Sequence, residues 1–128
     1  MTPASPKRPL KPLHWVASAR KDFDDFPVAV KREVGHALYL AQTERKHGDT
    51  KALRGFGDAG VLEVVTLFDG DAFRTVYTVR FESAVYVLHA FQKKSKSGSA
   101  TSKQDIWLIR DRLKAAKQDH EQAVPRSK

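Results

Sequence analysis

Four residues able to carry acid–base and phosphate chemistry fall in three consecutive β-type runs: Glu63, Arg74, His89 and Lys93. Cleaving RNA through its 2′-OH needs a base for that hydroxyl, cations for the phosphorane charge and an acid for the leaving 5′ oxygen. Arg74 suits the phosphate because its planar guanidinium binds two oxygens at once and stays charged. Glu63 and His89 both suit the proton transfers, and the sequence leaves open which residue acts as the base.

The runs are predicted to form a meander that places these residues on one face. Asp69-Gly70 between residues 61–68 and 72–81 is a strong hairpin signal, and Glu82-Ser83 predicts a second two-residue turn. With such turns, one face holds Glu63, Arg74, His89 and Lys93. Arg80 lies at the far end of this face and is a candidate for RNA binding. The other residues of the face are small, β-branched or aromatic: Val65, Val76, Thr78, Val85, Val87 and Phe91. The opposite face is apolar and is expected to pack on helices: Leu62, Val64, Phe68, Phe73, Tyr77, Val79, Tyr86, Leu88 and Ala90.

Two alternatives to a reactive site remain open. Glu63 and Arg74 lie on a diagonal between neighbouring strands, so they can form an ion pair without further function. A one-residue bulge in either hairpin would also change which side chains share a face.

The third run, residues 85–96, reads VYVLHAFQKKSK and is predicted to be a buried central strand that ends in cations. Its basic end adds Lys94 and Lys96 to Lys93 as candidates for RNA binding. Phe91 is a candidate for stacking on a base, although packing in the core is the other interpretation. Residues 49–60 form a glycine-rich loop that carries Lys51 and Arg54, and Arg54 is a further RNA-binding candidate.

The remaining elements complete a small domain. A short strand is predicted at residues 13–16, a short helix capped by Ser18 follows, and a second helix spans residues 27–46. A last helix begins at Ser102, where Asp105 gives a weaker form of the capping box. The order β-α-α-β-β-β-α predicts an α+β fold with a mostly antiparallel sheet, a helical hairpin and a C-terminal helix.

The domain organisation follows from length and composition. The 128 residues predict one domain at residues 11–117, preceded by a disordered basic arm at 1–10 and followed by a polar tail at 118–128. The 23 Lys and Arg residues exceed the 15 Asp and Glu residues, for a net charge of +8. Such an excess favours a polyanionic partner, most commonly nucleic acid.

Several classes of site and location are excluded or disfavoured. The chain contains no cysteine, which excludes disulfides, thiol catalysis and thiolate metal sites. The five histidines are scattered, with no HxxxH spacing, and the carboxylates are not clustered, so we do not expect a metal site. No run approaches the ~18 apolar residues of a membrane span, and the first residues lack the apolar core of a signal peptide. We therefore expect a cytoplasmic protein without membrane contact.

The motifs in combination resemble a known family. The runs VLEVVTLFDGDAFRTVYTVRFESAVYVLHAFQKKSKSG and TSKQDIWLIRDRL are similar to the phage Gp49-like/HigB branch of the RelE/ParE toxin superfamily. The resemblance rests on Arg74 in an R-x-V-Y pattern, on a strand that ends in LHAFQKK, and on Asp105 in the last helix. It covers residues 11–116. Many relatives carry a GLWELR-type strand, of which this chain keeps Glu63 but neither the tryptophan nor the arginine.

The resemblance implies the toxin of a type II toxin–antitoxin pair with a RelE-like fold. It implies a metal- and cofactor-independent endoribonuclease that cuts mRNA on the ribosome, with Arg74 on the scissile phosphate and Lys93 and Lys94 at the basic strand end. It also implies a helix-turn-helix antitoxin as partner. The alternatives are a ParE-like inhibitor of DNA gyrase and a nucleic-acid-binding or regulatory relative that is not toxic.

Overall fold

The computed structural model describes residues 10–48, 50–57, 60–93 and 101–123. Its strands are β1 (Leu13–Trp15), β2 (Thr50–Ala52), β3 (Val61–Phe68), β4 (Asp71–Thr78) and β5 (Val85–Lys93). Its helices are α1 (Ala19–Asp24), α2 (Val28–Gln42) and α3 (Lys103–Ala123). The predicted arm at 1–10 lies outside the described residues apart from Leu10, and the division into arm, domain and tail stays a prediction.

The strands form one sheet in the order β1-β5-β4-β3-β2. β1 pairs with β5 in parallel, and the other three pairings are antiparallel. The predicted α+β class with a mostly antiparallel sheet and a C-terminal helix is therefore confirmed. β2 was predicted to be part of a loop, because three residues with the sequence TKA are too short to show strand periodicity.

The turn between β3 and β4 sets the register of the site. Asp69 and Gly70 both have positive φ, +52° and +83°, as a two-residue hairpin turn requires. Glu63 therefore lies opposite Val76, and Val65 lies opposite Arg74, as predicted.

The connection between β4 and β5 differs from the predicted two-residue turn at Glu82-Ser83. It spans residues 79–84, and the register shifts between Val76, which pairs with His89, and Tyr77, which pairs with Val87. Leu88 is thus an extra residue in β5, which is a β-bulge. The bulge offsets the longer connection, so His89 lies opposite Val76 as predicted although the turn was predicted wrongly.

Each face of the sheet packs on different helices. On one face, residues such as Val64, Phe73 and Tyr77 pack with α1 and α2. On the other face, Val61 and Val76 pack with Ile109 and Ala116 of α3.

The bulge corrects part of the predicted division between these faces. Tyr86 and Leu88 were predicted to lie with the α1 and α2 side, but they pack against α3. Val85 and Val87 were predicted to lie on the site face, but they pack with α1 and α2. An extra residue reverses the alternation of side chains beyond it, which explains both exchanges.

The helical hairpin is shorter than predicted. The apolar stripe on α2 is buried as expected: Val30, Val34, Ala37, Leu38 and Ala41. The helix ends at Gln42 rather than near residue 46, because Glu44 adopts a positive φ of 62° that a right-handed helix does not allow. The Ser18 hydroxyl does not cap α1 but donates to the Asp22 carboxylate at 2.8 Å.

The last helix extends into the segment predicted to be a polar tail. α3 continues to Ala123, and its end is tied to the sheet. The Tyr86 hydroxyl donates to Asp119 at 2.7 Å, and the His120 ring lies 4.6 Å from the Phe81 ring. Within the described ranges, no helix is both long and apolar enough to cross a membrane.

Candidate functional site

The centre of the candidate site is a buried ion pair on the face covered by α3. Arg74 on β4 donates from Nη1 to Glu63 Oε1 on β3 at 3.0 Å. Glu63 is 3% exposed and Arg74 is 6% exposed. The Thr101 hydroxyl, just before α3, donates to the other carboxylate oxygen of Glu63 at 2.7 Å. The carboxylate therefore has a partner on each oxygen, and its position is fixed.

A cleft of about 460 Å³ opens next to this pair, and we call it the cationic cleft. Its lining includes Lys51, Arg54, Glu63, Arg74 and Thr101. Lys51 lies directly opposite Glu63 in the β2–β3 pairing, so the edge strand places a cation beside the buried carboxylate. Three cations around one carboxylate give the cleft a positive potential that suits an anion.

A second pair lies under the first turn of α3. His89 Nε2 is 2.9 Å from Asp105 Oδ1, and Ser102 donates from Oγ to Asp105 Oδ2 at 2.6 Å. The Asp105 backbone N–H donates in turn to Ser102 Oγ at 3.1 Å, which confirms that Ser102 caps the start of α3. The helix cap thus aims a carboxylate at β5.

The protonation of His89 follows from its burial. Burial lowers the pKa of His89, an effect that exceeds the opposing hydrogen bond and charge of Asp105, so the ring is neutral at pH 7. Because a carboxylate only accepts, Nε2 carries the proton and Nδ1 holds the lone pair. Nδ1 is buried without a hydrogen-bond partner among the described residues. His89 is also stacked on Phe91, with ring centroids 4.4 Å apart.

Lys93 contributes charge near the same helix turn. Burial alone would raise the pKa of Asp105, but hydrogen bonds from Ser102 and His89, together with the positive charge of Lys93, hold it below its usual value. Lys93 pairs with Ala72 at the end of β5. Its charge therefore acts on the Asp105 carboxylate, close to the start of α3.

Arg112 of α3 stabilises the β-bulge. Its Nη1 donates to the Leu88 carbonyl oxygen and its Nη2 to the Ser18 hydroxyl, each at 2.9 Å. Burial lowers the pKa of Arg112, against the opposing charge of Asp22. This guanidinium links α3, β5 and the start of α1, so it helps fix His89, the residue after the bulge.

One comparison with known proteins gives a match. The family model described as Phage derived protein Gp49-like (DUF891) matches residues 21–114. The chain belongs to this family. The matched residues include both pairs of the site and most of α3. No curated protein and no solved structure gives a significant match. Gp49-like proteins fit the class of toxin–antitoxin toxins, which agrees with the general resemblance found in the sequence.

The fold of this Gp49-like chain brings only some predicted residues together. Arg54 lines the cationic cleft with Glu63 and Arg74. His89 and Lys93 lie under the start of α3, outside the lining of that cleft. The predicted alternative of an ion pair between Glu63 and Arg74 is observed.

The predicted RNA-binding residues are dispersed. Arg80 is exposed beyond the end of β4 and does not line the cationic cleft. Phe91 is partly buried and packs with the α3 side of the core. Lys94 and Lys96 lie outside the described residues. Contact with RNA stays a prediction for all of these residues.

Residues outside the predicted site complete it in this Gp49-like chain. Thr101 holds Glu63, Asp105 holds His89, and Lys51 lines the cleft. The capping pattern marked Asp105 in the sequence, but nothing there showed that its carboxylate faces His89. The part of the chain that the structure describes contains no group of three His, Asp or Glu residues arranged to hold a metal ion.

Proposed function

We propose that this protein is the toxin of a type II toxin–antitoxin pair and that it cleaves mRNA on the ribosome without a metal or cofactor. The observation that carries the proposal is the cationic cleft, where Arg74 and Glu63 meet beneath Lys51 and Arg54. Membership in the Gp49-like family supports the toxin role.

The charges of the cleft suit a phosphodiester. The Arg74 guanidinium can bind two phosphate oxygens and stabilises the charge that develops when a phosphate becomes a phosphorane. Lys51 and Arg54 lie where they can contact the flanking phosphates of a single strand. Association with RNA then depends on salt, because cations on the protein displace counterions from the backbone.

Glu63 supplies the base in this proposal. Its carboxylate takes the proton of the 2′-OH, the 2′ oxygen forms a bond to phosphorus, and the bond from phosphorus to the 5′ oxygen breaks. The 5′ oxygen takes a proton from the Lys51 ammonium or from water. Glu63 is favoured over His89 because Glu63 lines the cleft beside Arg74, whereas His89 lies under the start of α3, outside the lining of the cleft.

His89 and Lys93 act indirectly in the same proposal. His89 holds Asp105 and thereby the first turn of α3, and Thr101, just before that turn, reaches Glu63. Lys93 adds positive charge near the start of α3, and Lys94 and Lys96, which follow it in the sequence, are further candidates for contact with RNA. The partner that neutralises the toxin is a helix-turn-helix antitoxin, and both proteins act in the cytoplasm.

The test is to induce the chain alone and to sequence mRNA 5′ ends after a short induction. Wild type should produce new ends within translated codons. Arg74→Lys keeps the charge but loses the bidentate fork, so we expect about a hundredfold less cleavage. Arg32→Lys is the matched control, since Arg32 is exposed on α2, which packs on the opposite face of the sheet, and it should cleave like wild type.

The outcomes separate the alternatives. Cleavage by a folded Arg74→Lys variant at the wild-type rate contradicts the role of Arg74. Growth arrest with intact mRNA and DNA-damage signalling indicates a gyrase inhibitor instead. Normal growth at high expression indicates a relative that is not toxic.

A further inference from the structure

A second cleft lies on the outer side of α3, and we call it the aromatic cleft. It has a volume of about 460 Å³, and its lining includes Phe56, Trp107, Arg110, Asp111 and Lys114. Trp107 is 71% exposed, although a side chain of this size is usually well buried. Exposed tryptophan beside cations is typical of surfaces that bind a partner.

The wall of the aromatic cleft is held in place by Arg110. Its Nη2 donates to the Gly55 carbonyl oxygen at 2.9 Å, and its guanidinium lies 5.2 Å from the centre of the Phe56 ring. Gly55 has a φ of +96°, which favours glycine, and an added Cβ would lie 3.4 Å from Arg110 Nη2. The loop after β2 is therefore tied to α3, and the cleft exists before a ligand binds.

The two clefts are neighbours along both of their walls. Arg54 lines the cationic cleft, and Gly55, the next residue, lines the aromatic cleft. In α3, Ile106 lines the first and Trp107 lines the second. The aromatic cleft is therefore close enough to receive the next part of a single strand that places a phosphate at Arg74.

We propose that the aromatic cleft binds a base of the substrate RNA next to the scissile phosphate, with Trp107 stacked on that base. This inference rests on the proposed function and adds a second binding site to it. Every base offers a π face to an aromatic ring, and Arg110 and Lys114 provide charge for the adjoining phosphates. Arg110 and Lys114 outnumber Asp111, the one acidic residue of the lining, and this excess of positive charge favours RNA as the occupant over an apolar segment of a protein.

The first experiment measures the affinity of the full chain for a short single-stranded 2′-deoxy oligonucleotide at low salt. This probe lacks the 2′-OH, so it is bound but not cut through that group. Trp107→Ala should weaken binding about tenfold, because it removes the stacking surface. Trp107→Phe should retain most of the affinity. Leu67→Ala is the matched control, since Leu67 is 79% exposed outside both clefts, and it should bind like wild type.

An abasic oligonucleotide shows whether the lost affinity is stacking. Removing the base at the stacking position should weaken binding to wild type about tenfold but should change binding to Trp107→Ala little. Equal losses for both proteins would overturn the proposal. Wild-type affinity of Trp107→Ala for the intact oligonucleotide would also overturn it, and loss of a co-purifying protein by that variant would assign the surface to a protein partner.

These measurements are separable from the test of cleavage. Binding that depends on Trp107 in a protein that leaves mRNA intact supports the base site and rejects the nuclease. Cleavage that depends on Arg74 but is unaffected by Trp107→Ala, with unchanged affinity for the oligonucleotide, rejects the base site alone.

Discussion

The two faces of the sheet are built from the same strands and hold different groups. The face under α1 and α2 buries apolar side chains such as Val64 and Phe73. The face under α3 buries Glu63, Arg74 and His89 beside an apolar patch around Ile109. Side chains alternate along a strand, so one sheet can support a core on one side and fixed charges on the other. The first face stabilises the fold, and the second positions the charges of the candidate site.

The largest expected effect is the loss of stability when the buried ion pair on the α3 face is broken. Glu63→Ala leaves the buried guanidinium of Arg74 without its observed counter-charge, so we expect a loss of about 3–5 kcal/mol in the free energy of unfolding. Urea denaturation measures it. Replacing both residues, as in Glu63→Leu with Arg74→Met, should cost less than the sum of the single changes. If the double variant loses as much free energy of unfolding as the two single variants together, the ion pair does not explain the loss in Glu63→Ala.

The next effect tests the apolar face. Leu38→Ala removes a buried side chain of α2, so we expect the free energy of unfolding to fall by about 2–5 kcal/mol. The same change at the exposed Leu67 should alter it by less than about 0.5 kcal/mol. Unfolding in urea gives both values. Cleavage by the folded Leu38→Ala protein should persist, and its loss would mean that the two faces are not separable.

A smaller effect concerns the cap of α3. Ser102→Ala removes a hydroxyl that accepts the Asp105 N–H and donates to the Asp105 carboxylate, so we expect a loss of about 1 kcal/mol. The pKa of Asp105 should also rise, which NMR titration can follow. Ser102→Thr keeps the hydroxyl and should behave like wild type. An unchanged Asp105 pKa in Ser102→Ala would contradict the hydrogen bond to the carboxylate.

The smallest effect is a dependence of stability on pH. Burial holds the pKa of His89 below its ordinary value of 6.5, so just below pH 6.5 the unfolded chain binds this proton more readily than the folded protein. Stability should therefore fall as the pH falls through that window. Between pH 7.5 and 5.5, wild type should lose more stability in urea than His89→Gln. An equal loss of stability in the two proteins would show that the pKa of His89 is the same in the folded and the unfolded chain.

The predicted pairing of the site residues was correct partly because two differences between the predicted and the observed hairpin cancel each other. Asp69-Gly70 fixed one hairpin, since its left-handed turn follows from residue type. The second turn is longer than predicted, and the bulge at Leu88 restores the pairing of Val76 with His89. A bulge held by the distant Arg112 leaves no local pattern in the sequence.

The parts of the site that were not predicted depend on tertiary contacts. Thr101 reaches Glu63, and Asp105 reaches His89, only because α3 crosses the sheet at one place. The sequence predicted that Glu63 and His89 share a face of the sheet. It did not show that Glu63 lines the cationic cleft whereas His89 lies under the start of α3. Lys51 was assigned to a loop because β2 has too few residues to show alternation.

The parallel pairing of β1 with β5 constrains the order in which the chain can fold. Leu13 pairs with Val85, so β1 has no partner until β5, the last strand of the sheet in chain order, has been synthesised. Closing such a large loop is slow, because its entropy is lost before the contacts form. Until β1 pairs with it, β5 is an apolar edge strand with unpaired backbone N–H and C=O groups. Thr101 and Asp105 emerge later still, so a nascent chain has no complete cationic cleft until the start of α3 has been synthesised.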